Sequence, residues 1–287
     1  MQNTQDMIQR LNLSGSRLSK SHRRIAEYIL QHYDKAVFMT AAKLGEMVNV
    51  SESTVVRFAV ALGYEGYPEL QQALQELVRH RLTATQRFEM SSDISQEEVL
   101  STVLKADMQN IRSTIDGIDN AAFLRAVQVI SGARRIYILG LRSAAPLAQF
   151  AGDYLHYIFD DVRVVAAGST DVFEAISRIE ASDVLLGISF PRYSSRTIEA
   201  MSFARSRHAQ VIGLTDGPMS PLHEVADICL SMRTDMASFV DSMAAPMSVI
   251  NALIVALGIQ NREALNARFK QLEEVWDAYS VYMNEGK

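Results

Sequence analysis

Ser, Thr and Arg recur in this sequence where helices begin, and a helix start is where unpaired backbone N–H groups can hold an anion. Gly140-Leu141-Arg142-Ser143 follows a short apolar run and leads into a helical stretch, so Gly140 permits a tight turn and Ser143 stands beside free N–H groups. Ser189-Phe190-Pro191-Arg192-Tyr193-Ser194-Ser195-Arg196-Thr197 follows another such run and opens another helix. Two hydroxyl-rich loops on one sheet edge make a phosphate cradle, with Arg142 and Arg192 available for charge-assisted bonds to a phosphate or carboxylate. Ser is also a common helix cap and Arg a common surface cation, so the expectation of an anionic small ligand rests on the two loops together. Thr215-Asp216-Gly217-Pro218-Met219-Ser220-Pro221 reads as a turn only.

A second polar group suits different chemistry. Ser51, Glu52, Ser53, Thr54 and Arg57 take the outward side of a stretch whose Val55, Phe58, Ala59 and Leu62 recur at helical spacing. Short hydroxyls bond phosphates or base edges, and Arg grips guanine or phosphate bidentately, as a helix laid in the major groove of DNA requires. Ala41, Leu44, Gly45 and Val48 form the matching stripe of a preceding helix. Asn49 tolerates the positive φ of the turn between them, Ser51 stands at the N-cap of the second helix, and Gly45 lets the helices approach. Thr40 to Gly63 therefore reads as a helix-turn-helix, with a helical hairpin carrying a solvated face as the bland alternative.

Proton-transfer chemistry finds little pattern. Sugar-phosphate isomerisation needs a carboxylate and a His or Lys poised between adjacent carbons; His156, His208 and His223 with Glu174, Glu180 or Glu224 are present but at no diagnostic spacing. His22 and His32 read as surface residues without metal-ligand company, and no metal or cofactor is expected. The single cysteine, Cys229, excludes an internal disulfide and reads as a small buried hydrophobe.

With 287 residues, 48% of them hydrophobic, the chain can fill two domains. Net charge is −5 overall, but residues 1–87 carry 11 Lys and Arg against 8 Asp and Glu (+3), while residues 88–287 carry 17 against 25 (−8). The cationic share thus sits with the helix-turn-helix, and its small size implies that dimerisation doubles the contacts to DNA. No run is long and apolar enough for a membrane span and the N-terminus lacks a signal-peptide core, so no membrane partner and a cytoplasmic location are expected.

The supporting elements follow from periodicity. A helix over residues 21–33, striped by Ile25, Tyr28 and Ile29, covers the hairpin's back, and Pro68 opens a helix carrying Leu70, Ala73, Leu74, Leu77 and Val78 after a stop at Gly63. These give an all-α domain over residues 1–80, a linker over 81–95 and a second domain over 96–287. The latter starts at a capping box, Ser95-Gln96-Glu97-Glu98, with a stripe of Leu100, Leu104, Met108, Ile111 and Ile115, then a helix over 120–131. Five short aliphatic runs, 135–139, 162–166, 183–189, 210–215 and 227–232, alternate with helical stretches and predict an α/β domain with a parallel sheet covered on both faces. Helices over 240–257 and 262–282 close the chain, the last striped by Leu272, Trp276, Tyr279 and Met283 for packing on the sheet or on a second subunit.

VSESTVVRFAVALGYEGYPEL followed by YILGLRS, GISFPRYSSRT, VIGLTD and SPLHEVAD resembles the RpiR family of bacterial transcriptional regulators over nearly the whole chain. The resemblance implies that the second domain is a sugar isomerase (SIS) domain, a flavodoxin-like three-layer sandwich with a five-stranded parallel sheet that senses a phosphorylated sugar or sugar acid. By motif, Ser143 matches the serine of the first phosphate loop, and Ser189, Ser194 and Thr197 match the Ser-x-Ser-Gly-x-Thr loop of SIS domains. This sequence departs from that loop: three extra residues, including Pro191, Arg192 and Tyr193, separate the serines, and Ser195 stands in place of Gly.

The leading expectation is a homodimeric or homotetrameric regulator of carbohydrate metabolism genes, binding a double-stranded operator and an effector that changes the placement of its DNA-reading modules. The competing class is a sugar-phosphate isomerase, which has no use for residues 17–80. A binding protein without DNA function would leave the Ser51 to Arg57 surface idle.

Overall fold

The structure, a computed structural model, describes residues 19–37, 39–78, 83–89, 94–166, 171–236 and 239–282. It falls into two compact units, Met1–Gln96 and Glu97–Lys287.

The first unit holds α1 (Lys20–Gln31), α2 (Tyr33–Ala36), α3 (Ala41–Val48), α4 (Glu52–Ala61), α5 (Tyr67–Val78) and α6 (Ala84–Glu89). Ser19 starts α1 as an N-cap, accepting from the His22 N–H at 3.2 Å. Ile25 and Ile29 of α1, Leu44 of α3, Val55 and Phe58 of α4, and Leu70 and Leu74 of α5 are fully buried. The α5 side chains Tyr67 and Gln71 both donate to the Met39 carbonyl, at 2.6 and 3.0 Å, and so fasten the approach to α3. The stretch expected to be plain linker contains α6. Its start is a reciprocal capping box: Thr83 Oγ1 accepts from Gln86 N at 3.3 Å while Gln86 Oε1 accepts from Thr83 N at 2.9 Å.

The second unit runs α7 (Val99–Gly117), α8 (Asn120–Ser131), β1 (Ile136–Gly140), α9 (Ala145–Ile158), β2 (Val162–Val165), α10 (Val172–Ile176), β3 (Val184–Ile188), α11 (Ser195–Ser206), β4 (Gln210–Thr215), α12 (Leu222–Val225), β5 (Ile228–Ser231), α13 (Ala244–Gln260) and α14 (Arg262–Ala278). The five strands are parallel in the order β2-β1-β3-β4-β5. Strand alternation splits the core: Ile136, Ile138, Leu186 and Ile188 meet Ala126, Leu147 and Ile250 of α8, α9 and α13 on one face. Tyr137, Leu139 and Leu185 meet Ile176, Met201 and Leu222 of α10, α11 and α12 on the other. The result is the three-layer α/β sandwich expected, and burial on both faces accounts for the near-continuous apolar strands.

Three expectations change. The capping box placed at Ser95 does not start α7; the helix begins at Val99 with Glu98 at the N-cap position and no side-chain cap bond. The stripe Leu100, Leu104, Met108 and Ile115 is 58–72% exposed, with Ile111 part-buried, because the inward side of α7 is polar instead. Asn110 Nδ2 donates to the Asp235 carbonyl at 2.7 Å, Asn110 Oδ1 accepts from Asp235 N at 2.9 Å, and Thr114 Oγ1 accepts from Arg233 N at 2.8 Å. The last stripe is not core either: α14 has no buried residue, and Trp276 lies edge-on to Tyr157 of α9 at 6.5 Å. Met283 lies outside the described residues. No single helix is long and apolar enough to cross a membrane among the described residues.

Candidate functional site

In the first unit, Ala41, Leu44, Gly45 and Val48 of α3 face Val55, Phe58 and Ala59 of α4, all buried. The turn between them depends on two residues. Asn49 takes the left-handed conformation, φ 53°, and a Cβ on Gly45 would stand 2.8 Å from the Val50 carbonyl oxygen, so a larger residue would force α3 off the turn. At the far end of α4, Gly63 at φ 91° and Tyr64 close a Schellman motif through Gly63 N to Val60 O and Tyr64 N to Ala59 O.

Ser51, Glu52, Ser53 and Arg57 are exposed and Thr54 half-exposed, so one outward face carries all five. Ser51 has N-cap backbone geometry, but its hydroxyl does not cap α4. It lies 3.0 Å from Ser53 Oγ and 2.8 Å from Thr54 Oγ1, while Arg57 donates to the Ser53 carbonyl and to Thr54 Oγ1 at 3.3 and 3.4 Å. The hydroxyls and the guanidinium are therefore ordered among themselves on the surface. His22, expected at the surface, is half-buried and edge-on to Phe58 at 5.7 Å. Desolvation, and then the nearby Arg57 charge, hold its pKa below 6.5.

In the second unit the chain turns from β1 to one side of the sheet and from β3 to the other, and ligands bind at such a switch point, outside the carboxyl ends of the strands. Gly140 pairs with Ile188, so the loops after β1 and β3 leave the sheet as neighbours. A Cβ on Gly140 would lie 2.6 Å from the Ala144 carbonyl oxygen, so only glycine fits the descent into the 3₁₀ turn Arg142–Ala144. Ser143 is exposed in that turn, and Arg142 is exposed at φ 56°.

The longer loop folds inward. Phe190 and Pro191 are buried, and Ser189 Oγ accepts from Ser194 N at 3.2 Å. Ser194 caps α11 by accepting from Thr197 N at 3.3 Å, leaving Ser195 exposed. Thr197 is fully buried, yet its hydroxyl has no hydrogen-bond partner among the described residues. Arg192 is exposed at φ 64°; neither it nor Arg142 forms an ion pair with a described residue. Arg196, by contrast, is committed: it bonds Asp171 at 2.8 Å and lies over the Phe173 ring. The loop after β4 does more than turn, since Tyr193 donates to Asp216 and Thr215 Oγ1 lies 2.6 Å from Ser220 Oγ. Asp216 carried no sequence signal, because its partner is 23 residues away.

The acid–base residues are dispersed. His156 ends α9 with Nδ1 2.6 Å from the Gly152 carbonyl, and His208 precedes β4, so both stand towards the amino edge of the sheet. His223 pairs with Ser231 Oγ at 3.3 Å, and burial lowers its pKa against the opposing pull of Asp216. No hydrogen bond or ion pair joins these histidines to Glu174, Glu180 or Glu224 among the described residues.

Residues 5–80 match the helix-turn-helix domain of the rpiR family, and residues 129–256 match the SIS domain. The chain is 26% identical over 275 residues to the HTH-type transcriptional regulator HexR of Escherichia coli, covering 94% of this chain and 93% of that protein. It is also 26% identical over 276 residues to HexR of Pseudomonas aeruginosa, covering 94% and 95%. Among solved structures, Vibrio vulnificus NanR complexed with ManNAc-6P superposes with a TM-score of 0.58 at 20% identity, over 97% of this chain and all of that one. The sugar isomerase domain of an RpiR transcription factor from Sphaerobacter thermophilus superposes with a TM-score of 0.59 at 23% identity, over 62% of this chain and 99% of that one. The helical unit, the parallel sheet and these two matches lead to one assignment: the chain belongs to the RpiR family of transcriptional regulators, an rpiR-type helix-turn-helix domain joined to an SIS domain.

Proposed function

We propose that this chain regulates carbohydrate metabolism genes by binding operator DNA through Ser51, Glu52, Ser53, Thr54 and Arg57 and by sensing a phosphorylated sugar or sugar acid without turning it over. Residues 1–80 read DNA, 81–95 connect, and 96–287 sense, with two or four chains assembled so that paired recognition helices meet half-sites about 34 Å apart. Gly140, Ser143, Ser189, Ser194, Ser195 and Thr197 receive the phosphate. Arg142 and Arg192, left without an ion-pair partner on neighbouring loops, supply the charge that a phosphate or carboxylate needs. The effector acts through its different affinities for the DNA-competent and DNA-incompetent arrangements.

The observation that carries this reading is the buried Thr197 hydroxyl without a partner at the start of α11. A buried hydroxyl left unbonded is costly, and an anion oxygen that reaches the helix start as the Ser189–Thr197 loop shifts to uncover Thr197 is the acceptor it lacks. That NanR was solved with ManNAc-6P, a phosphorylated sugar, supports the same class of effector. The dispersal of His156, His208 and His223 favours sensing over isomerisation.

The test has three arms. Hexose phosphates and phosphorylated sugar acids should raise the melting temperature of the intact protein where their unphosphorylated parents do not. The stabilising compound should change affinity for a duplex selected from a random pool. The same compound should be recovered unchanged after long incubation. Stabilisation by no phosphate ester, or steady interconversion, overturns the reading.

A further inference from the structure

Besides its hydroxyls and charges, α4 presents two apolar side chains to water: Val56 is 38% exposed and Val60 54%. They stand one turn apart, flanked by Glu52 on one side and by Ser53 and Arg57 on the other. They cannot turn inward. Val55, Phe58 and Ala59 are fully buried and set the rotation of α4. At about 100° per residue, Val60 then stands almost opposite that buried stripe with Val56 beside it. Arg57 does not cover the pair, because its guanidinium reaches back to the Ser53 carbonyl and Thr54 Oγ1.

A lone exposed valine needs no explanation, but two in succession on the outward side of a helix-turn-helix domain's second helix meet a specific chemistry. The major groove offers an apolar side chain one partner, the 5-methyl group of thymine. Guanine and adenine present N7 and cytosine its N4 amine there, and a valine pressed on these removes water without returning a hydrogen bond. The same side chain therefore gains at thymine and loses elsewhere, which is how discrimination arises. Valine is also stiff at χ1 in a helix, so the contact costs little side-chain freedom. A protein partner fits less well: two valines ringed by Glu52, Ser53 and Arg57 fall far short of the ~800 Å² that a standard interface takes from each side. The +3 charge of residues 1–87 favours a polyanion instead.

We propose that Val56 reads thymine, its methyl groups packing on the 5-methyl of one thymine in each operator half-site, with Val60 extending the apolar contact one turn on. Hydroxyls and Arg57 can spend their bonds on phosphates, which carry no sequence; Val56 cannot, and so acts in specificity alone. This inference rests on the reading of α4 as the DNA-reading helix.

The full chain selects a duplex from a random pool, and binding is measured again with deoxyuridine replacing each thymine in turn. The replacement removes one methyl group and leaves base pairing and the hydrogen-bonding edges intact. The expected result is one thymine in each half-site whose uracil form binds about fourfold more weakly, the transfer value of one buried methyl. Val56→Ala should bind the thymine and uracil forms equally, so that the loss seen in wild type disappears in the variant. Position 56 is exposed and alanine is the better helix former, so Val56→Ala should keep the wild-type circular dichroism, melting temperature and affinity for unselected duplex. Equal binding of every uracil form by wild type, or full discrimination retained by Val56→Ala, overturns this inference and leaves α4 as the reading helix. A chain that enriches no sequence overturns the reading of α4 itself, and the role of Val56 falls with it.

Discussion

The Tyr193 hydroxyl donates to Asp216 Oδ1 across 2.8 Å and ties the loop after β3 to the loop after β4. On its other side Arg196 ties the start of α11 to Asp171, so the long Ser189–Thr197 loop is braced from both directions. Tyr193→Phe keeps the ring and removes one bond to a carboxylate, an interaction worth about 1.5–3 kcal/mol when fully formed. The expected outcome is about tenfold weaker effector binding by calorimetry with a melting temperature lowered by ~3–12 °C, the shift that a loss of this size gives a unit of this length. Unchanged affinity would show that the loop holds its shape without the tie.

Arg57 is exposed on α4, ordered by its bonds to Ser53 and Thr54. Arg57→Ala should weaken duplex binding and lower the slope of log affinity against log salt by about one per recognition helix, because each lost phosphate contact retains one set of counterions. If the affinity falls equally for all sequences, Arg57 meets phosphate; if discrimination between sequences falls with it, Arg57 meets a base. A salt titration on two selected duplexes separates these outcomes.

The helix-turn-helix was legible because everything it needs is local: two stripes, Asn49 at the turn, Gly45 at the contact and Gly63 at the stop lie within 24 residues. The sheet was legible for a similar reason, since each strand is buried on both faces and shows as an apolar run. The rotation of α7 was not. Its hydrophobic stripe reads as a buried face until the partners of Asn110 and Thr114 are known, and these lie 119–125 residues away. The same distance effect hid Asp216, while α6 was hidden because residues 79–95 are polar and carry no sustained hydrophobic period, leaving only the local Thr83–Gln86 capping box to mark it.

His22 gives the helical unit a pH dependence of known sign. Its pKa is depressed in the fold, so the unfolded chain binds the proton more readily, and the stability this group contributes is present above pH 6.5 and is lost as pH falls through the folded value. Wild type should therefore melt at a lower temperature at pH 5.5 than at pH 7.5, and His22→Gln should reduce that difference. His223, shifted in the same direction, keeps it from vanishing. A difference identical in wild type and His22→Gln would mean that the Phe58 contact does not persist in solution.

Thr197→Val separates a structural hydroxyl from a ligand-binding one. Val has nearly the shape of Thr, and the hydroxyl it removes is buried without a partner, so ligand-free protein should lose nothing and gain a little. Deleting an unsatisfied buried hydroxyl removes a desolvation penalty of about 1 kcal/mol, which corresponds to a rise of ~2–4 °C in melting temperature for a unit of this size. Phosphate-ester binding should weaken at least tenfold at the same time, since the anion loses a donor at the helix start, while duplex affinity in the absence of effector stays at the wild-type value. A variant that melts lower than wild type would show that Thr197 already has a partner in solution; one that is stabilised yet binds phosphate esters as before would remove Thr197 from the site and leave the cradle to Ser143, Ser189 and Ser194.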